Sequence, residues 1–156
     1  MPRHSVKKLR ELRQKNIGRL ITEVHREFRR RALARIQDRI NPALRSSHIT
    51  VLIHLPTNGA RLTDLAESAN VTKQAMGQLV DDVQALGLVS REVDPEDRRA
   101  KRIVFTEEGL AFLSDGMDII REGESEYAAI LGRRRLEDLR SMLLELLEAT
   151  DSLPQH

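Results

Sequence analysis

The 156-residue chain contains no cysteine and no tryptophan, and only four aromatic residues, three Phe and one Tyr. Without cysteine there is no disulfide framework, no thiolate zinc site, no cysteine nucleophile and no thiol redox sensor, which points to a cytoplasmic setting. So few aromatics argue against binding single-stranded nucleic acid by base stacking, which needs aromatic platforms. No apolar run approaches the roughly 20 residues of a membrane-spanning helix, and the basic N-terminal stretch lacks the apolar core of a signal peptide. The chain is expected to be soluble and unprocessed, and its length suits one domain, residues 1–156. An excess of one charge is also missing: 26 Lys and Arg face 24 Asp and Glu, a formal net charge of +2.

That balance hides a strong segregation. Residues 1–45 hold 14 basic and 4 acidic side chains (+10), residues 46–106 hold 7 and 8 (−1), and residues 107–156 hold 5 and 12 (−7). A basic end and an acidic end either pair with each other, within or between chains, or the basic end meets a polyanion.

Ile17, Leu20, Ile21, Val24, Phe28, Ile36 and Ile40 recur mostly at three- and four-residue steps and predict a helix over 17–40, ended by Asn41-Pro42. At about 1.5 Å per residue it would be ~36 Å long. Its stripe is too long for one small core and is expected to meet another chain. A short helix over 47–55 stops before Pro56 and the turn Thr57-Asn58-Gly59.

The segment from Leu62 to Val83 carries the densest information. Thr63 is placed to cap a two-turn helix, Asn70 to stop it in the left-handed conformation, and Thr72 to cap the next helix. Ala66 and Ala69 permit close approach, and Val71 is expected to plug the corner of a helix-turn-helix. The second helix, 73–86, buries Met76, Leu79, Val80 and Val83. It turns Lys73, Gln74, Gly77, Gln78 and Asp81 outward. After Gly87, residues 88–93 and 101–105 read as two strands around the charged turn Asp94-Pro95-Glu96-Asp97-Arg98-Arg99-Ala100. A helix-turn-helix followed directly by a hairpin is a winged helix. Thr106 caps a further helix, Gly132 interrupts it, and Leu136, Leu139, Met142, Leu143, Leu146 and Leu147 mark a final amphipathic one.

Over Ile17 to Leu147 the chain resembles the multiple-antibiotic-resistance regulator (MarR) family. The resemblance is carried by Leu65-Ala66, Val71-Thr72-Lys73-Gln74, Leu79-Val80-Asp81, Gly87-Leu88-Val89-Ser90-Arg91, Asp97-Arg98-Arg99 and Phe105-Thr106-Glu107-Glu108-Gly109 in that order. It implies a mainly α fold with a small β-hairpin: a winged helix-turn-helix over 46–106, flanked by dimerisation helices over 17–40 and 107–150. The implied function is a homodimeric, cytoplasmic transcriptional regulator, expected to be a repressor. It would bind pseudo-palindromic double-stranded DNA and be released by a small apolar or phenolic effector.

In that family the second helix of the motif enters the major groove. Gln74 and Gln78 suit adenine edges, and Lys73 suits guanine or phosphate. The alternative for all three is a solvated polar face. Gly77 either lets the backbone approach DNA or merely weakens the helix. Arg99, with Arg98 as the competing candidate, is assigned to the minor groove at the wing tip. The bland reading is that these arginines only pair with Asp94, Glu96 or Asp97. Arg61, Thr63 and Thr72 are candidate phosphate contacts, each also a plausible cap or surface residue. Lys101 adds to the local basic charge. His25, Phe28, His54, Phe112 and Met117 are expected to line the effector pocket, although all are ordinary core choices.

The five histidines lack metal-ligand spacing, so neither a metal nor a cofactor is expected. No phosphate loop, nucleophile elbow or carboxylate pair suggests an enzyme. The competing reading is a winged-helix adaptor that binds proteins without sequence-specific DNA recognition.

Overall fold

In the computed structural model, which describes residues 6–151, the chain turns where Asn, Gly and Pro punctuate it. The helices are α1 (Val6–Lys15), α2 (Ile17–Arg39), α3 (Ser46–His54), α4 (Leu62–Ser68), α5 (Lys73–Ala85), α6 (Glu107–Leu131) and α7 (Arg133–Asp151). The strands are β1 (Ala60–Arg61), β2 (Val89–Val93) and β3 (Lys101–Phe105). They form one antiparallel sheet in the order β1-β3-β2. Its register pairs Val89 with Phe105 and Val93 with Lys101 on one side of β3, and Ala60 with Ile103 on the other.

The described residues fall into two units, divided after Met117. In the first, α3, α4 and α5 pack on one another, and α4 and α5 pack on the sheet. Leu44, Val51, Leu65, Met76, Val80, Val83, Val89 and Ile103 are fully buried there. Each such side chain contributes roughly 1.5–3 kcal/mol relative to an exposed one. In the second unit α7 is an amphipathic helix whose Leu139, Met142, Leu143, Leu144, Leu146 and Leu147 are all exposed.

The left-handed stops sit where expected: Asn70 at φ 52°, Gly87 at φ 76° and Gly132 at φ 84°. Thr72 caps α5 by accepting the Ala75 N–H at 3.1 Å. Thr106 joins two elements through one hydroxyl. It accepts the Gly109 N–H at 2.9 Å at the start of α6 and donates to the Gly87 carbonyl at 2.6 Å just past α5.

Four details differ from the sequence expectations. Thr63 does not cap α4: the helix starts two residues earlier with Arg61 as N-cap, and the Thr63 hydroxyl donates to Asp64 at 3.1 Å. Strand β1 runs straight into α4 and leaves no room for a later cap. Val71 does not plug the corner. It is 37% exposed, and the turn is closed by its backbone N–H donating to the Ala66 carbonyl at 3.0 Å. Helix α1 was not anticipated. A single residue, Asn16, separates it from α2, donating to the Arg13 carbonyl and accepting the Arg19 N–H, both at 2.9 Å. Finally, β1 makes the expected hairpin a three-stranded sheet.

Candidate functional site

Helix α5 and the loop between β2 and β3 present polar side chains from two adjacent elements of one unit. On α5 the apolar period buries Met76, Val80 and Val83, which leaves Lys73, Gln74 and Gln78 exposed on the opposite side. None of these three side chains has a hydrogen-bond or ion-pair partner among the described residues. Gly77 is half-buried: a β-carbon there would meet Leu62 Cδ2 at an ordinary 3.7 Å, so packing does not require glycine. Thr72 is exposed at the N-terminus of α5 with its hydroxyl oxygen engaged in capping, and Thr63 is exposed in the first turn of α4.

The loop is held in shape by its own acids. Asp94 N–H donates to the Ala100 carbonyl at 3.0 Å, and Ala100 N–H to the Asp97 carbonyl at 2.8 Å. Asp94 Oδ1 accepts the Glu96 N–H at 2.8 Å, and Asp97 Oδ1 accepts the Arg99 N–H at 3.0 Å. These side chain-to-backbone bonds leave the Arg98 and Arg99 guanidiniums exposed, with no side-chain partner among the described residues. Lys101 is exposed at the start of β3.

Three acids near this face are each paired with an arginine. Asp81 receives Arg91 at 2.7 Å, and Arg91 also donates to Gln84 at 2.6 Å. Asp82 receives Arg45 at 2.7 Å, and the buried His48 ring lies 3.5 Å from the same carboxylate. His48 Nδ1 also accepts the Arg45 N–H at 3.2 Å, closing the start of α3. Asp94 receives Arg61 at 2.6 Å. This ion pair, reinforced by the Glu96 amide, holds the Asp94 carboxyl below its ordinary range. Arg45 and Arg91 find their acidic partners Asp82 and Asp81 far along the chain, and His48 meets both its near neighbour Arg45 and the distant Asp82. Net charge near the face therefore understates how positive its free groups are.

The residues expected to line an effector pocket are dispersed in exposure. Phe112 is buried, Phe28 and His54 are half-buried, and His25 and Met117 are exposed. Among the described residues, no cluster of three or more His, Asp or Glu could hold a metal ion. None of the described helices is long and apolar enough to cross a membrane.

Comparison with known proteins gives the same architecture. Residues 43–100 match the family model described as "MarR family". The transcriptional repressor CouR, in a structure bound to a 23-mer DNA duplex, superposes with a TM-score of 0.69 at 22% identity, covering 87% of this chain and 95% of CouR. Wild-type apo MarR from E. coli gives 0.70 at 19% identity over 85% of this chain and 97% of its own. A MarR transcriptional regulator from Methanosarcina mazei Go1 gives 0.71 at 21% identity, over 86% and 95% respectively.

Proposed function

We propose, from the premise that this chain belongs to the MarR family through its winged helix-turn-helix at residues 43–100, that it is a double-stranded DNA-binding transcriptional repressor acting in the cytoplasm as a homodimer. One observation carries the reading. Lys73, Gln74, Gln78, Arg98 and Arg99 are exposed and unpaired among the described residues, while the neighbouring acids Asp81, Asp82 and Asp94 are each neutralised by an arginine. A face with free donors and paired acids suits a polyanion.

In this reading α5 enters the major groove. Gln74 and Gln78 contact adenine edges, Lys73 contacts guanine or phosphate, and Gly77 lets the backbone approach. Arg99, flanked by Arg98, enters the minor groove, where its weakly hydrated charge suits the negative potential. Thr63, Thr72 and Lys101 contact backbone phosphates. Segment 46–106 serves as the DNA-binding region, and 17–40 with 107–150 as the dimerisation helices. The exposed apolar stripes of Ile17, Leu20, Ile21 and Val24 on α2 and of the α7 leucines support that assignment. A small apolar or phenolic effector, sensed through His25, Phe28, His54, Phe112 and Met117, would act by favouring a dimer whose recognition helices miss the ~34 Å repeat of the major groove. The family's members are regulators and not enzymes, which supports a non-enzymatic role.

The test is titration of the protein with the duplex upstream of its own gene and with a scrambled duplex across salt concentrations. The expected result is a preference of at least ~10³-fold with a steep salt dependence. Equal, feeble binding to both duplexes would instead favour the adaptor reading.

A further inference from the structure

Arg61 looks from the sequence like a free cation at the start of a helix, and the structure places it elsewhere. Its Nε donates to Asp94 Oδ2 at 2.6 Å. The Asp94 side chain is only 8% exposed, against 41% for Arg61. One carboxylate thus has two tasks: Oδ2 holds β1 and the N-cap of α4, and Oδ1 holds the first turn of the β2–β3 loop through Glu96 N–H. The same corner is closed a second time. Arg102, paired with Arg61 across β1 and β3, donates to the Gly59 carbonyl at 3.1 Å. Gly59 has φ 82°, and a β-carbon there would lie 2.6 Å from the Ile103 carbonyl oxygen.

We propose that Arg61 and Asp94 are a latch for the wing: a positioning pair that fixes the loop bearing Arg98 and Arg99 to the helix-turn-helix, with Arg61 itself making no phosphate contact. This inference rests on the DNA-binding reading above. The latch acts through ordering. A loop tied at its base meets the groove already oriented, whereas an untied loop must be ordered on binding, at a cost in affinity. The sign of the effect is distinctive. Asp94 is an acid close to a polyanion, so simple electrostatics makes its removal strengthen binding. The latch makes its removal weaken binding.

The experiment compares the full-length wild type with Arg61→Ala, Asp94→Asn and the double variant, all on one duplex selected from random-sequence DNA over a salt series. Asparagine keeps an acceptor for the Glu96 amide and replaces the charged oxygen that accepts from Arg61 with an NH2 donor. Amide hydrogen exchange over residues 96–100 is followed in the free proteins. Each single variant should bind about tenfold more weakly, and the double no worse than either single. The salt slope should stay unchanged, and exchange in the loop should quicken in all three. Asp94→Asn binding as tightly as wild type or tighter overturns the latch. So does a drop of about one in the salt slope for Arg61→Ala with unchanged loop exchange, the signature of a phosphate contact. If the wild type selects no duplex, the DNA reading fails on its own. The exchange arm then decides the latch: quickened exchange supports it and unchanged exchange overturns it.

Discussion

The helix-turn-helix with its sheet and the long flanking helices solve the same folding problem in opposite ways. In the first, Met76, Val80, Val83 and Ile103 are fully buried, and ion pairs join separate elements: Arg45 to Asp82, Arg61 to Asp94, Arg91 to Asp81. In the second, apolar side chains stay exposed, and several ion pairs stay within one helix. Glu23 pairs with Arg19 and Arg26, Glu27 with Arg30 and Arg31, and Asp118 with Arg121. Pairs within a helix add a few tenths of a kcal/mol to helix formation and nothing to tertiary placement. The winged region therefore specifies its own arrangement. The flanking helices present surface that a single chain leaves uncovered.

The contrast can be broken most severely at Gly109. A β-carbon there would lie 1.9 Å from the Leu88 carbonyl oxygen, a backbone atom that cannot step aside without moving β2. Gly109→Ala should cost about 3 kcal/mol in urea denaturation. Gly77→Ala, with ordinary space for the methyl, should stabilise the protein by up to ~1 kcal/mol through helix propensity. Equal effects at the two positions would show that the junction of α6 with Leu88 is less tightly packed than its geometry indicates.

A smaller effect on folding, and a larger one on assembly, is expected at Leu147, 64% exposed on α7. Leu147→Asp should weaken the proposed dimer at least tenfold in sedimentation equilibrium. Hydrogen exchange in α3 to α5 should not change. Unfolding of those helices would contradict their self-sufficiency.

The smallest effect is that of pH on α2. Arg30 and Arg31 hold the Glu27 carboxyl down to about 2 from 4.5. Because the folded-state value is depressed, its stabilisation is complete above the unfolded value of 4.5 and is lost as pH falls toward 2. Glu27→Gln should flatten that part of an acid-stability curve, and salt should shrink the difference, since these side chains are solvent-exposed.

Much of the fold was legible because it is written in local chemistry. Asn70, Gly87 and Gly132 mark backbone that favours left-handed geometry, Thr72 and Thr106 mark helix starts, and the 3.6-residue period marks the buried side of α5. What escaped depends on distant partners. Two residues cannot signal a strand, so β1 exists only because Ala60 and Arg61 meet β3 some 40 positions later. The roles of Arg45, Arg61 and His48 likewise become visible only when Asp82 and Asp94 arrive beside them. Val71 shows the converse: an apolar residue in a turn invites a packing role that a backbone hydrogen bond already fills. Of the candidate site, the free residues Lys73, Gln74, Gln78, Arg98 and Arg99 were recognisable, and the network of pairs that sets them apart was not.

The Thr106 hydroxyl carries a mechanical consequence. Because it grips the first turn of α6 and the carbonyl just beyond α5 together, no slack chain separates those helices at that point. One side chain thereby ties the first turn of α6 to the end of α5, so Thr106→Val would remove both ties in a single substitution.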